Sequence, residues 1–173
     1  MAVTLSGSGQ VPVKLVYVEK KDSFVGTSTQ TGSGYYIDVT GMSASITPSS
    51  SANRILIVVN MYIGMSTGAS GYQQSMRIRR NGTYPILGTS ESGRPTTSGR
   101  LNMYQLNTYS MQNLTGYYVD SPNSTSAQTY QIELGGYSGG PIVYVNRSET
   151  FQNSTNEYDT MPVSTLTLME ISG

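Results

Sequence analysis

The chain has 173 residues, 36% of them hydrophobic and only 12% charged, with ten Lys and Arg balancing ten Asp and Glu. A neutral chain has no field with which to follow a phosphate backbone, so nucleic-acid binding is not expected. His and Cys are both absent, which removes Ser–His–Asp and Cys–His catalysis, disulfides, and the nitrogen and sulfur ligands of zinc sites together.

Gly, Ser, Thr and Tyr fill the place of the missing charge, with 19 Gly and 14 Tyr against 2 Phe and no Trp. Thr and Tyr suit a half-buried pleated surface, and Gly, Ser and Asn supply turns between strands. The apolar residues fall in short regular runs, which argues for one folded domain of ordinary size and against disorder. Met1–Gly9 lacks the basic start and apolar stretch of a signal peptide, and the longest apolar run, Ile55–Val59, is too short to span a bilayer. A soluble product without an export signal or membrane insertion is expected, and the lack of Cys suits assembly in a reducing cytoplasm. Arg77, Arg79 and Arg80 form the only basic cluster, read as a solvated strand face.

In chain order, residues 1–10 are expected to form a flexible arm and residues 11–173 the domain. Val11–Val18 alternates apolar and polar residues and predicts a strand; Gly26–Gly34 reads as a Gly/Ser/Thr loop. Tyr35–Val39 predicts a strand broken at Thr40-Gly41, and Met42, Ala44 and Ile46 alternate with small polar residues in another. Arg54–Ile63 is apolar in both phases of the alternation and reads as a central strand covered on two faces. Asn81-Gly82 is the strongest short hairpin signal, and Pro85 in the return strand points to a sheet edge. Gly88–Asn107 reads as a long exposed loop. Strand character resumes over Tyr109–Val119, Ala127–Leu134, Ile142–Val145 and Val163–Ile171, with a turn at Asp120-Ser121-Pro122-Asn123 and a polar loop over Asn146–Asp159. Eight to ten short strands and no helix predict an all-β, antiparallel β-sandwich of jelly-roll type in a single domain, with the first and last strands side by side.

No catalytic, cofactor or metal residues are expected. Tyr137-Ser138-Gly139-Gly140-Pro141 looks like the nucleophile segment of trypsin-like proteases, but Tyr137 stands where an Asp precedes the Ser, and no His exists to take the serine proton. It reads as a hairpin turn. Glycoside hydrolysis needs only two acids, and the acids in expected loops or turns are Glu91, Asp120, Glu149, Glu157 and Asp159. Their spacing supports neither a catalytic pair nor a calcium loop. N-x-[ST] matches at Asn81, Asn113, Asn123, Asn146 and Asn153 are expected by chance in so Asn- and Ser-rich a chain. Tyrosine is a rigid amphipathic contact residue. Tyr72, Tyr104, Tyr109 and Tyr137, in or beside expected loops, are therefore candidate partner or receptor contacts, joined by Arg94 and Arg100. Tyr17, Tyr36, Tyr62, Tyr118, Tyr130 and Tyr144 fall in expected strands and read as core or subunit contacts.

Asp38-Val39-Thr40-Gly41-Met42-Ser43-Ala44-Ser45-Ile46-Thr47-Pro48-Ser49-Ser50 followed by Arg54-Ile55-Leu56-Ile57-Val58-Val59 resembles a recurrent module of tailed-phage virion proteins. Arg77–Gly82, Asp120–Tyr130, Val143–Arg147 and Leu168–Ile171 are similar to its later blocks, so the resemblance runs over nearly the whole chain from about Val13. Such modules occur in phages of marine and freshwater bacteria, cyanophages included. The resemblance implies a jelly-roll domain, often trimeric, on tail fibres or the capsid exterior. Many fibre proteins carry it behind a long attachment region, whereas here only Met1–Gln10 precedes it. That difference favours a small accessory subunit, a capsid decoration (cement) protein, over a tail-fibre receptor-binding domain, with a carboxylate-dependent glycan hydrolase a distant third. The implied partners are further copies of the chain in a homotrimer, the major capsid protein or tail and neck proteins of the same virion, and a host-surface glycan or receptor. The implied location is the virion exterior, after assembly in the host cytoplasm.

Overall fold

Antiparallel strands carry the backbone from one end of the chain to the other. The computed structural model describes residues 2–5, 13–31, 34–64, 73–92, 95–102, 107–136, 142–152, 154–156 and 159–173. The strands are β1 (Ala2–Leu5), β2 (Val13–Lys20), β3 (Phe24–Thr27), β4 (Thr29–Thr31), β5 (Gly34–Ile46), β6 (Arg54–Gly64) and β7 (Gln73–Arg80). They continue with β8 (Thr83–Ile86), β9 (Gly99–Asn102), β10 (Met111–Asp120), β11 (Gln128–Gly136), β12 (Ile142–Val145) and β13 (Ser164–Ile171).

Sheet one runs β1-β2-β13-β6-β12-β3, with β10 also on β6. β13 pairs with residues 54–60 of β6 and β12 with Ile63 and Gly64, while β10 pairs with residues 55–64 on the opposite edge. Sheet two runs β4-β5-β11-β7-β8, with β9 also on β7. The chain passes from one sheet to the other at β3→β4, β5→β6, β6→β7, β9→β10, β10→β11 and β11→β12. With β2-β13-β6-β10 facing β5-β11-β7-β8, this is the order of a jelly roll, and β2 and β13 lie side by side as expected.

The core follows from the period-two alternation. Ile55, Ile57, Val59, Met61 and Ile63 of β6 and Leu166 and Leu168 of β13 are fully buried against Met42, Met76, Ile78, Ile132 and Leu134 of sheet two. Tyr118 packs at the margin, and its hydroxyl donates to Ser98 O at 2.8 Å. A Cβ on Gly116 would stand 2.3 Å from that hydroxyl, so the strand keeps a bare backbone where the ring lies.

Three expectations change. Tyr35–Val39 and Met42–Thr47 form one strand, β5, because Thr40-Gly41 is a bulge and not a break. Gly41 has φ +85°, and the register against β11 slips between Gln131 and Glu133. The inward set therefore passes from Ile37 and Val39 to Met42, Ala44 and Ile46. The Gln131 amide fills the bulge, donating to Val39 O at 3.1 Å. Second, the expected loop Gly26–Gly34 holds the end of β3, all of β4 and the start of β5, and the expected loop Gly88–Asn107 holds β9. β3 and β4 are edge strands of only four and three residues, too short to show a period, so composition did not reveal them. Third, within the expected arm Ala2–Leu5 pairs antiparallel with β2. The Asn81-Gly82 hairpin is present, with both residues at positive φ (45° and 84°), and Pro85 lies in the edge strand β8.

Buried polar residues tie the layers together. Asp120, at the end of β10, accepts from Tyr130 Oη at 2.7 Å and from Arg80 Nη1, joining sheet one to β11 and β7 of sheet two. Burial first, and then the Asp120 carboxylate, push the Tyr130 hydroxyl far above its ordinary pKa. Asn146, fully buried at φ 56°, donates to Lys20 O at 2.7 Å and Asp22 O at 3.1 Å and accepts from Ser164 Oγ at 2.6 Å. A side chain so placed is no glycan acceptor in the folded protein.

Candidate interaction surface

The two outer faces of the sandwich differ in chemistry. On sheet two, β5, β11 and β7 set Asp38 opposite Glu133 and Glu133 opposite Arg77. Arg77 donates to Glu133 Oε2 from Nη2 at 2.8 Å and from Nε at 3.2 Å. Its guanidinium lies 3.5 Å from the Tyr36 ring centroid and 4.4 Å from that of Tyr84, whose hydroxyl donates to Glu133 at 3.1 Å. Arg79 adds an ion pair to Asp38 at 2.6 Å and one to Glu133 at 3.4 Å. The side chains of Arg77 and Glu133 are 3% and 5% exposed, because the planar groups lie flat and cover one another. The basic cluster is therefore not a solvated strand face. The alternation alone could not show that tyrosines from β5 and β8 would close over it. Burial raises the pKa of both Tyr36 and Tyr84, and Arg77 beside each works against that shift.

On sheet one the outer face carries two largely apolar rows. Cross-strand register aligns Leu15, Met169, Leu56 and Val119 in one row across β2, β13, β6 and β10. The next row is Tyr17, Thr167, Val58 and Tyr117, and the third is Glu19, Thr165, Asn60 and Thr115. Tyr117 is 72% exposed, Val119 51% and Tyr17 39%. Val25 of β3 and Ile142 of β12 are exposed on the same face, since Val25 pairs with Tyr144 and Tyr144 with Gly64. β6 is thus a central strand by its pairing, yet only one of its faces is fully buried. Leu56, Val58, Asn60 and Tyr62 are half-buried, so the expected second covering layer is not supplied by the described residues of this chain.

The polar groups of this face satisfy one another. Asn113 donates to Asn60 Oδ1 at 2.6 Å, and Thr115 Oγ1 lies 3.0 Å from the same oxygen and 2.6 Å from Asn113 Oδ1. At the margin, Glu19 accepts from Lys21 at 2.8 Å and from Tyr17 at 3.1 Å; the Lys21 contact leads in holding its carboxyl below the usual range. The face carries little charge and no catalytic pattern. Its chemistry is that of a surface that buries against another apolar surface.

Of the expected contact residues, Tyr72, Arg94, Tyr104 and Tyr137 lie outside the described residues, as does the Tyr137–Pro141 segment. Arg100 is exposed in β9 of sheet two, and Tyr109 is 39% exposed in the turn that leads into β10 of sheet one. Tyr130 is buried in the core, Tyr36 and Tyr144 are buried on the outer faces of sheets two and one, and Tyr17 and Tyr62 belong to the open face. The expectation missed Tyr117 and Val119, although Thr115-Gly116-Tyr117-Tyr118-Val119 is apolar in both phases, as β6 is. Of the loop and turn acids, Asp120 is held by Arg80 and Tyr130. Asp159 accepts from Gln152 N at 3.1 Å and Ser154 N at 3.2 Å. Among the described residues no cluster of three or more acids could hold a metal ion.

Fold and surface together define a jelly-roll domain with one sealed, ion-paired outer face and one open, apolar outer face. No family model and no curated protein matches the chain. Among solved structures it is similar to that of the Gt strain of infectious bursal disease virus, with TM-score 0.43 and 14% identity over 98% of this chain and 42% of that one. The Gx strain gives 0.45 and 13% over 100% and 41%, and the virus's VP2 subviral particle 0.39 and 12% over 91% and 39%. The chain spans about two-fifths of the length of each of these. The jelly-roll assignment stands on the strand order of the chain itself.

Proposed function

We propose that this chain is a non-enzymatic structural subunit of a tailed-phage particle, a homotrimeric decoration protein bound to the major capsid protein on the virion exterior. The observation that carries the reading is the contrast between the two outer faces. A domain that seals one sheet with an internal ion-pair network and leaves the other apolar is built to be covered by protein. The blocks that resemble the phage module agree with a scaffold role. They contain Asp38, Arg77, Arg79, Arg80, Asp120, Tyr130, Asn146 and Glu170, residues whose hydrogen bonds or ion pairs join separate strands or loops.

The test is quantitative mass spectrometry of purified particles, with antibody labelling in electron micrographs. Many copies spread over the capsid, and particles that lose heat or salt resistance when the gene is deleted, are the expected results. A handful of copies confined to the tail would sink the decoration reading in favour of a tail-fibre receptor-binding domain. The exposed Tyr109 and Arg100 favour that second reading, which requires adsorption to the host to fall when either is replaced.

A further inference from the structure

The open face of sheet one can be assigned an occupant. We infer that it is the contact between copies of this chain, so that Leu15, Leu56, Val58, Tyr117, Val119 and Met169 are buried on a second copy. The inference deepens the self-assembly part of the function proposed above, on which it rests.

Three features point to a second copy. The first is area. The strands of this face are four residues long in β1, eight in β2 and β13, eleven in β6, ten in β10 and four in β12 and β3, which at ordinary strand spacing and rise cover about 780 Å² before side-chain relief. A stable protein interface needs about 800 Å² from each partner. The second is charge. A face of one sign would repel its own copy, but the rows across β2, β13, β6 and β10 carry one charge of each sign, Glu19, paired with Lys21, and Arg54, exposed opposite Ile171 at the other end. The polar Asn60–Asn113–Thr115 group is hydrogen-bonded within itself. The third is the edge. β10 pairs with β6 without a bulge over ten residues, Met111–Asp120. It contains no Lys and no Pro, the usual devices that keep an edge strand from meeting another chain. Its one charge, Asp120, is turned inward onto Arg80.

The full chain is the test object, studied by sedimentation equilibrium and light scattering. The wild type is expected as a multimer of the 18.7 kDa chain, two chains where the whole face meets its own copy and three where the face is shared between two neighbours about a three-fold axis. Tyr117→Lys with Val119→Lys puts like charges on both sides of the contact and should raise the dissociation constant about a hundred-fold, as for loss of an interface hot spot. Both residues are exposed in the single chain, so thermal melting of the separated subunit should stay the same. Thr89→Lys, exposed in the segment after β8, should leave the mass unchanged. Because the chain has no Cys, Tyr117→Cys supplies one addressable thiol, and bismaleimide should link copies through it but not through Thr89→Cys. A wild type that stays monomeric at high concentration, or a lysine variant that keeps the multimer, overturns the inference. So does a monomer that associates through Tyr117 only with the capsid protein. Copy number on particles tests the function separately, so each can fail without the other.

Discussion

Glu133→Gln tests whether the sealed face of sheet two is held by charge. The substitution keeps the shape and removes the one carboxylate that faces Arg77, Arg79 and Tyr84. Arg77, 3% exposed, is then a buried cation that has lost its paired carboxylate. Breaking such a pair from one side costs about 3–5 kcal/mol. The stacking of Arg77 between Tyr36 and Tyr84 survives and is worth about 1 kcal/mol or more, so the net loss should lie near the lower end, about 3 kcal/mol. For a domain of this length that lowers Tm by about 6–12 °C. Urea unfolding followed by far-UV circular dichroism reads the loss directly, with an unchanged denaturant slope showing that the folded and unfolded states are otherwise the same. The double variant Arg77→Met with Glu133→Leu should lose clearly less than the sum of its single variants, because both charges leave together. A Glu133→Gln loss under about 1 kcal/mol, the size of a surface pair, would refute the reasoning, since it would mean that water reaches the network.

Three other outcomes follow from the described geometry. Asn146→Ala removes bonds to Lys20 O, Asp22 O and Ser164 Oγ and places Ala at a left-handed φ; it should cost about 3 kcal/mol in urea melts. Asn146→Gly should recover only the backbone part. Asn81→Ala puts Ala at φ 45° in the hairpin and removes the bond from Thr129 N; it should cost about 1–2 kcal/mol by the same measurement. With no His, the chain holds no side-chain type whose ordinary pKa lies near neutrality, so stability should be flat from about pH 6 to 9. On the acid side Glu170 matters. Burial pushes its carboxyl up, but donors from Ser49 and Asn53 and the charge of Lys14 outweigh burial and leave it below its ordinary value of 4.5. A depressed carboxyl contributes stability above its unfolded pKa and loses it as pH falls through the folded one, so Glu170→Gln should flatten the melt-versus-pH curve below pH 4.5.

Much of the fold was legible because each inward phase is uniform. Ile55 through Ile63 and Leu166 with Leu168 announce strands whatever their partners, and Asn81-Gly82 states its own turn. What stayed hidden depends on tertiary neighbours. The bulge at Gly41 looked like a break because Gln131, ninety residues away in sequence, supplies the missing partner. The arginines of β7 looked solvated because their covering rings come from β5 and β8. The open face was half legible: β6 and the end of β10 are apolar in both phases, which signals two buried faces. A sequence cannot say whether the second cover belongs to the same molecule, and here the described residues do not provide it.

The place of β13 bears on how the domain comes into being. It follows the other described strands in chain order, yet it sits between β2 and β6, with register to both. Until it arrives, β2 and β6 have no common neighbour, and each presents a bare edge. Sheet one is therefore completed by insertion, after about 150 residues of loop have closed between β2 and β13. Such distant pairing folds slowly, and the waiting edges are open to strands of neighbouring nascent chains. A chain made in many copies at once would depend on how quickly the eight residues of β13, Ser164–Ile171, find their slot.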